Sequence, residues 1–246
     1  MAAQDLHAWL PLGGGSFVLR SSEARALVNI GLVVGSERAL VVDTGCGPRH
    51  ACGILAAVRT VTDLPLVVVN THAHWDHFFG NAVFQRDGDR FAGFGRHSGT
   101  EFWAHAAAAR AMAATGESQR KDVAGPEPEM AAGRGDCTEI VVPTRLVDAG
   151  PVILDLGGLA VELFSLGPGH TDGDLMVGAP GVLFAGDVLE EGAEPSVEPE
   201  SSVEGWVDVL HLLAGMGARY PVMVPGHGRP VDAAFAGVLA SRLSPA

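Results

Sequence analysis

The stretch Asn70 to Asn81, NTHAHWDHFFGN, places His72, His74, Asp76 and His77 directly behind the apolar run Pro65 to Val69, PLVVV. In an extended segment, side chains two apart point the same way, so His72 and His74 converge and Asp76 shares their parity. Where the chain turns helical, Asp76 and His77 face a second position, and one short loop can serve two ions. Imidazole and carboxylate donors without thiolate suit zinc, with iron or manganese as alternatives. A lone histidine at a strand end would read as a solvated turn residue. Four clustered donors read as a metal centre.

Outward from this loop, the preceding sequence reads as strands at Phe17 to Arg20, Ala26 to Gly35 and Arg38 to Gly45, separated by Gly and Ser turn signals and forming an antiparallel meander. Arg49 to Thr62 has helical spacing, and Leu64 to Asn70 reads as a buried strand delivering the histidine loop. Ser98 and Glu101 form a capping box for an alanine-rich helix over Phe102 to Thr115, stopped by Gly116. The polar, Pro- and Gly-rich stretch Gly116 to Asp136 reads as a surface excursion between two halves. Strands then follow at Thr144 to Gly150, Pro151 to Gly157, Leu159 to Gly167, Asp174 to Pro180 and Gly181 to Asp187. After them come a helix capped by Ser201 with Glu204, a strand at Pro221 to Gly228 and a last helix at Val231 to Leu243. The whole chain, 1 to 246, is expected to form a single α/β domain of two sheets with helices outside.

The chain carries 16 Lys plus Arg against 29 Asp plus Glu, a net charge of −13, which repels a nucleic-acid backbone. Cys46, Cys52 and Cys137 have no CxxC spacing, and neither a leader nor a membrane span is legible, so reduced thiols in the cytoplasm are expected. A small-molecule substrate is the expected partner, with neither nucleic acid nor membrane involved. No residue pattern speaks to oligomeric state.

HAHWDH resembles the signature loop of the metallo-β-lactamase superfamily. Three later motifs fit that resemblance in order: GPGHTDGD with His170, LFAGDV with Asp187, and VPGHG with His227. It spans Leu27 to Gly228 and implies a four-layer αββα sandwich with the site on one edge between two mixed sheets. It also implies that His72, His74 and His170 hold one metal, that Asp76, His77 and His227 hold the other, and that Asp187 bridges them. Asp43 in VVDTG matches a position that orients the ligand loop. The remaining histidines, His7, His50, His97, His105 and His211, are given no ligand role.

The activity so implied is that of a dinuclear hydrolase with two zinc ions, acting on a small ester, lactone, thioester or amide. Asp76 would orient the nucleophile and shuttle its proton. The alternatives are a persulfide dioxygenase of the same fold with one iron, or a silent metal-binding module. The tract Gly186 to Ser196, GDVLEEGAEPS, resembles stand-alone bacterial members. The acidic segment Leu189 to Ser202, beginning with Glu190 and Glu191, is expected to form a flap beside the metals that disfavours anionic substrates.

Overall fold

The computed structural model describes residues 8–20, 27–91 and 99–244. Strands β1 (Leu10–Gly13), β2 (Ser16–Arg20), β3 (Asn29–Val34) and β4 (Ala39–Val42) form the expected antiparallel meander. Helix α1 (Pro48–Arg59) then crosses over to β5 (Leu66–Val69), which lies parallel to β4. Two short helices, α2 (Trp75–Phe78) and α3 (Asn81–Gly88), follow, and β6 (Glu101–His105) pairs parallel with β5. After α4 (Ala106–Gln119) and α5 (Pro128–Ala132), β7 (Arg145–Val147) completes a sheet in the order β1-β2-β3-β4-β5-β6-β7.

The second sheet contains β8 (Val152–Asp155), β9 (Ala160–Phe164), β10 (Met176–Ala179), β11 (Val182–Glu190) and β12 (Val222–His227), in the order β12-β11-β10-β9-β8. Only β11 and β12 run parallel in it, joined through α6 (Val203–Ala214), and α7 (Ala233–Leu243) packs beside α6. Both sheets are therefore mixed, as the αββα expectation requires.

Alternation along the apolar strands builds the layers. Val42, Val67 and Val69 turn inward to meet Leu163, Val177 and Phe184 of the other sheet, while Val41 and Val68 turn outward onto Ile54 and Val58 of α1. On the far side, Leu183 and Met223 meet Trp206, Leu210 and Leu239 of α6 and α7. Because both faces of each sheet are covered, a central strand such as β5 is apolar throughout. Each of its fully buried valines contributes roughly 1.5–3 kcal/mol.

Four expectations need correction. Glu101 to His105 is strand, not the first turn of the alanine-rich helix, because β5 has a free edge and the alternation of buried Phe102 and Ala104 suits a strand there. The helix starts at Ala106, where His105 Nδ1 accepts from the Ala107 amide, and it runs past the buried Gly116 to Gln119. Gly116 packs rather than terminates, since a Cβ there would lie 2.9 Å from Ile140. Ser98 and His97 fall outside the described residues, as does His7.

The stretch 116–136 lies largely at the surface, as expected, but it is regular rather than an irregular excursion. It continues α4, makes a 3-10 turn at Arg120–Val123 and forms α5, burying Val123, Glu127 and Met130. The Thr144 to Gly150 segment supplies β7 to the first sheet instead of opening the second, because β6 offers it a parallel edge. Finally, Ser202 and not Ser201 caps α6, accepting from the Gly205 amide, which leaves the Ser201 hydroxyl to donate to the His170 carbonyl.

Glu127 does for α1 what no local side chain does. The helix begins at Gly47 without a side-chain cap, and the Glu127 carboxylate accepts from the amides of Arg49 (3.1 Å) and His50 (2.7 Å). It satisfies two amides of the first turn and sets a negative charge at the positive end of the helix. Glu127→Ala is expected to lower stability by about 1–3 kcal/mol in urea unfolding, since it removes the acceptor of two first-turn amides, one buried and one part-buried. A loss under about 0.5 kcal/mol would contradict this role.

Candidate metal centre

The first and last residues of Asn70 to Asn81 hydrogen-bond to each other. Asn81 Nδ2 donates to Asn70 Oδ1 at 2.8 Å, Asn70 Nδ2 donates to Asn81 Oδ1 and to the His77 carbonyl, and the Thr44 hydroxyl donates to Asn81 Oδ1. Inside this clasp, the chain leaves β5 extended through His72 and turns into α2, so Asp76 and His77 are helical as anticipated.

Asp43, at the end of β4, adopts φ 65° and is 1% exposed. Its carboxylate accepts from the Thr71 amide (2.8 Å), the Thr71 hydroxyl (2.7 Å) and His77 Nδ1 (2.8 Å). These bonds decide tautomers. Because the single Thr71 hydroxyl proton goes to Asp43, Thr71 Oγ1 accepts from His72 Nδ1 at 3.0 Å, leaving the lone pair of His72 on Nε2. With its Nδ1 proton on Asp43, His77 turns Nε2 inward, where that atom is buried without a hydrogen-bond partner. Burial opposes a charge on this ring, but Asp187, Asp76 and Asp43 raise it well above the usual imidazole range, so a metal would replace a proton on Nε2. Glu200 Oε1 accepts from His74 Nε2 at 3.1 Å, so His74 presents Nδ1.

His170 arrives on the loop after β9. Asp174 braces that loop by accepting from the Thr171 amide and hydroxyl, and burial pushes the Asp174 carboxyl up to about 7. His170 Nε2 lies 3.0 Å from His74 Nδ1, which lies 3.1 Å from His72 Nε2. Asp187 is re-aimed by irregular pairing in β11 around Gly186. Its Oδ2 is 3.7 Å from both His72 Nε2 and His170 Nε2 and 3.4 Å from His227 Nε2, and its Oδ1 is 3.3 Å from His77 Nε2. Asp76 Oδ2 stands 3.3 Å from His227 Nε2. Gly226 makes room for this carboxylate, because a Cβ there would lie 1.7 Å from Asp187 Oδ1. Asn29 secures the final turn from the other sheet, donating to the carbonyls of Pro225 and Gly228 at 2.9 Å each.

All seven expected donors thus meet. His72, His74, His170 and Asp187 offer ligand atoms within 4.8 Å of one another, and Asp76, His77 and His227 form a second such group. The set fits a cation on its own chemistry. His74 Nδ1 lies 3.1 Å from His72 Nε2 and 3.0 Å from His170 Nε2, near the roughly 3.3 Å spacing that four-coordinate zinc with bonds of about 2.0–2.1 Å imposes. His77 Nε2 and Asp187 Oδ1 are buried with no hydrogen-bond partner. Burial opposes the charge on Asp187, but His77, His227 and His72 hold its carboxyl well below the usual range. Burial first, and then the neighbouring His77, keep His72 well below the usual imidazole range, so it stays neutral as a ligand must be.

A cleft of about 530 Å³ opens over this centre. Glu190 lines it as expected, but Glu191 does not. Adjacent residues leaving a strand point oppositely, and Glu191 turns outward to bind the Arg229 guanidinium and amide. The expected flap does border the cleft, through Ser196, Glu198 and Glu200 as well as Glu190. Sequence reasoning passed over Asn29, Thr71, Gln119 and Asp122. Only Thr71, inside the histidine loop, carried a local signal.

This geometry has known counterparts. The chain belongs to the metallo-beta-lactamase superfamily, whose family model matches residues 25–227. Among individual proteins, it is similar to the acyl-coenzyme A thioesterase MBLAC2 of Gallus gallus, with 32% identity over 92% of this chain and 82% of that one. The Homo sapiens protein of the same name is 31% identical over 92% of this chain and 83% of its own length. Among solved structures, the fold matches a metallo-beta-lactamase from Pontibacter korlensis (TM-score 0.70, 21% identity, 96% of this chain and 98% of that one) and the DIM-1 metallo-beta-lactamase (TM-score 0.65, 18% identity, 96% of each chain).

Asp43→Asn keeps the size of the side chain and tolerates the left-handed backbone, but it cannot accept from all three donors as a carboxylate does. The variant is expected to fold, by circular dichroism, and to bind zinc about 10–100-fold more weakly in chelator competition. Unchanged affinity would show that the Asp43 contacts do not tune the donor set.

Proposed function

We propose that the protein is a thioester hydrolase that uses two metal ions, zinc in the first instance. The observation that carries this reading is the convergence of seven donors in two groups, with Asp187 reaching both. His72, His74 and His170 would hold one ion, Asp76, His77 and His227 the other, and Asp187 would bridge. The thioester bond is favoured over other acyl bonds by the similarity to proteins named acyl-coenzyme A thioesterases.

Bound there, the ions would supply Lewis acidity toward the carbonyl and lower the pKa of water toward about 7. The chain's own residues do the rest. Asp76 faces the cleft, 3.3 Å from His227, where its carboxylate can accept the proton of an attacking water and pass it to the departing sulfur. The water oxygen bonds to the carbonyl carbon, and the C–S bond breaks with its electron pair going to sulfur. The sulfur takes the proton from Asp76 and leaves as the thiol, and the acyl half leaves as the carboxylic acid. No cysteine lines the cleft among the described residues, so no cysteinyl acyl-enzyme is invoked and water attacks directly. His74 separates this cleft from a second one of about 320 Å³, walled by Ala107, Ala108 and Ala111 with Arg110 at its rim. A substrate lying across His74 would place one half in each.

Zinc-reconstituted protein is expected to hold two equivalents by elemental analysis and to release thiol from N-acetylcysteamine thioesters. Asp187→Ala should lose at least one equivalent and slow turnover by more than about 100-fold while remaining folded. A plateau at one iron with oxygen uptake on persulfides, or full activity in Asp187→Ala, would overturn the proposal.

A further inference from the structure

The acidic cleft holds a carboxyl group, that of Glu190, which the hydrolytic reading does not use; burial, and then the charge of Asp187, push it up to about 7. Glu190 is 6% exposed. Its Oε2 accepts from the Ser196 amide at 3.3 Å, while Oε1 is buried with no hydrogen-bond partner. A buried carboxyl oxygen without a donor is costly, so Oε1, on a side chain that lines the cleft, is suited to take a donor from a ligand.

The surroundings specify which donor. Asp122, Glu198 and Glu200 line the same cleft, and no Lys or Arg does. Glu198 accepts from the Ser196 hydroxyl and Glu200 from His74, contacts that order the carboxylates without bringing in a lysine or arginine. Metal ions would offset Asp76 and Asp187 but leave these four acids in excess. A phosphate or carboxylate entering here would meet like charge at short range, inside a Debye length of about 8 Å. The second cleft beyond His74 carries Arg110, the one guanidinium lining either cleft among the described residues, together with Asp172 and Glu200, so it offers an anion no net attraction.

We infer that the acidic cleft is a subsite for a positively charged substituent of the substrate, and that Glu190, through Oε1, is its specificity-determining residue. The substrate class is then a thioester bearing an ammonium group, with the ammonium in the acidic cleft and the uncharged remainder in the alanine-lined cleft beyond His74. This refinement rests on the hydrolase reading for its thioester but not for its cation.

The test compares ε-aminocaproyl, heptanoyl and adipoyl thioesters of N-acetylcysteamine, which share one scissile bond and differ in terminal charge. It uses zinc-loaded wild type and Glu190→Gln, with calorimetric binding of hexylamine and hexanol to both proteins. Wild type is expected to prefer the ammonium thioester over the neutral one by at least about tenfold in kcat/KM and to disfavour the adipoyl ester. Glu190→Gln should bring the ammonium-to-neutral ratio close to one and weaken hexylamine, not hexanol, by a similar factor. Hydrolysis of all three esters without charge preference would overturn the subsite and leave the hydrolase standing. Selective, Glu190-dependent binding of hexylamine with no thioester cleaved would overturn the hydrolase and leave the subsite. A fall in zinc content in Glu190→Gln would show instead that Oε1 serves the metals, and would also overturn the inference.

Discussion

The carboxylate of Asp43 ties the end of one central strand to the donor loop of the next. It accepts from the Thr71 amide, the Thr71 hydroxyl and His77 Nδ1, and these three bonds fix the path of the loop and the ring orientation of two histidines. A carboxylate that is almost wholly buried is tolerable only when its lone pairs are filled, and here the fillers are the groups that must be held still. The left-handed backbone at Asp43 belongs to the same bargain: an aspartate accepts that conformation more readily than most residues and aims its side chain back under the loop.

From this anchor the rest follows through strand direction. β4, β5, β11 and β12 deliver their carboxyl ends to one edge of the sandwich, so residues separated by up to 184 positions, from Asp43 to His227, share one site. Apolar packing between the sheets sets their distance, and the final adjustment is polar. Asn29 reaches across to the turn after β12, and the absence of a side chain at Gly226 leaves space for Asp187. The site is therefore rigid where donors must converge, and its chemical character at the mouth comes from the segment after β11. That segment brings carboxylates to the cleft and, through Glu200, also reaches His74.

The same acidity separates the cleft from one shaped for a polyanionic thiol. The family relationship supports hydrolase and metal chemistry, whereas a choice among substituents would fall to the wall of the cleft, to which Glu190 and Asp122, on the turn after α4, belong. Similarity over most of the length is compatible with different substrates, because the donor set and the cleft wall lie on different segments.

Much of this was legible in the sequence because it depends on local rules. Alternation and apolar runs located the strands, and HAHWDH, with the later GHT, GD and GHG motifs, named the seven donors through the resemblance they carry. The errors arose where a neighbour in space overruled local preference. The alanine-rich segment lost its first residues to a strand because the edge of β5 needed a partner, and one glutamate of a polar, largely exposed stretch became buried because α1 lacked an N-terminal acceptor that Glu127 could supply. Glu190 and Glu191 are chemically alike and adjacent, yet the pleat sends one into the cleft and the other to Arg229. Sequence alone determined which groups could bind metal and on which strand ends they sit, since those follow from residue type and periodicity. Which carboxylates face the cleft, which imidazole nitrogens are free and which polar groups are left unpaired were decided only by the tertiary structure, because each depends on contacts between segments far apart in the chain.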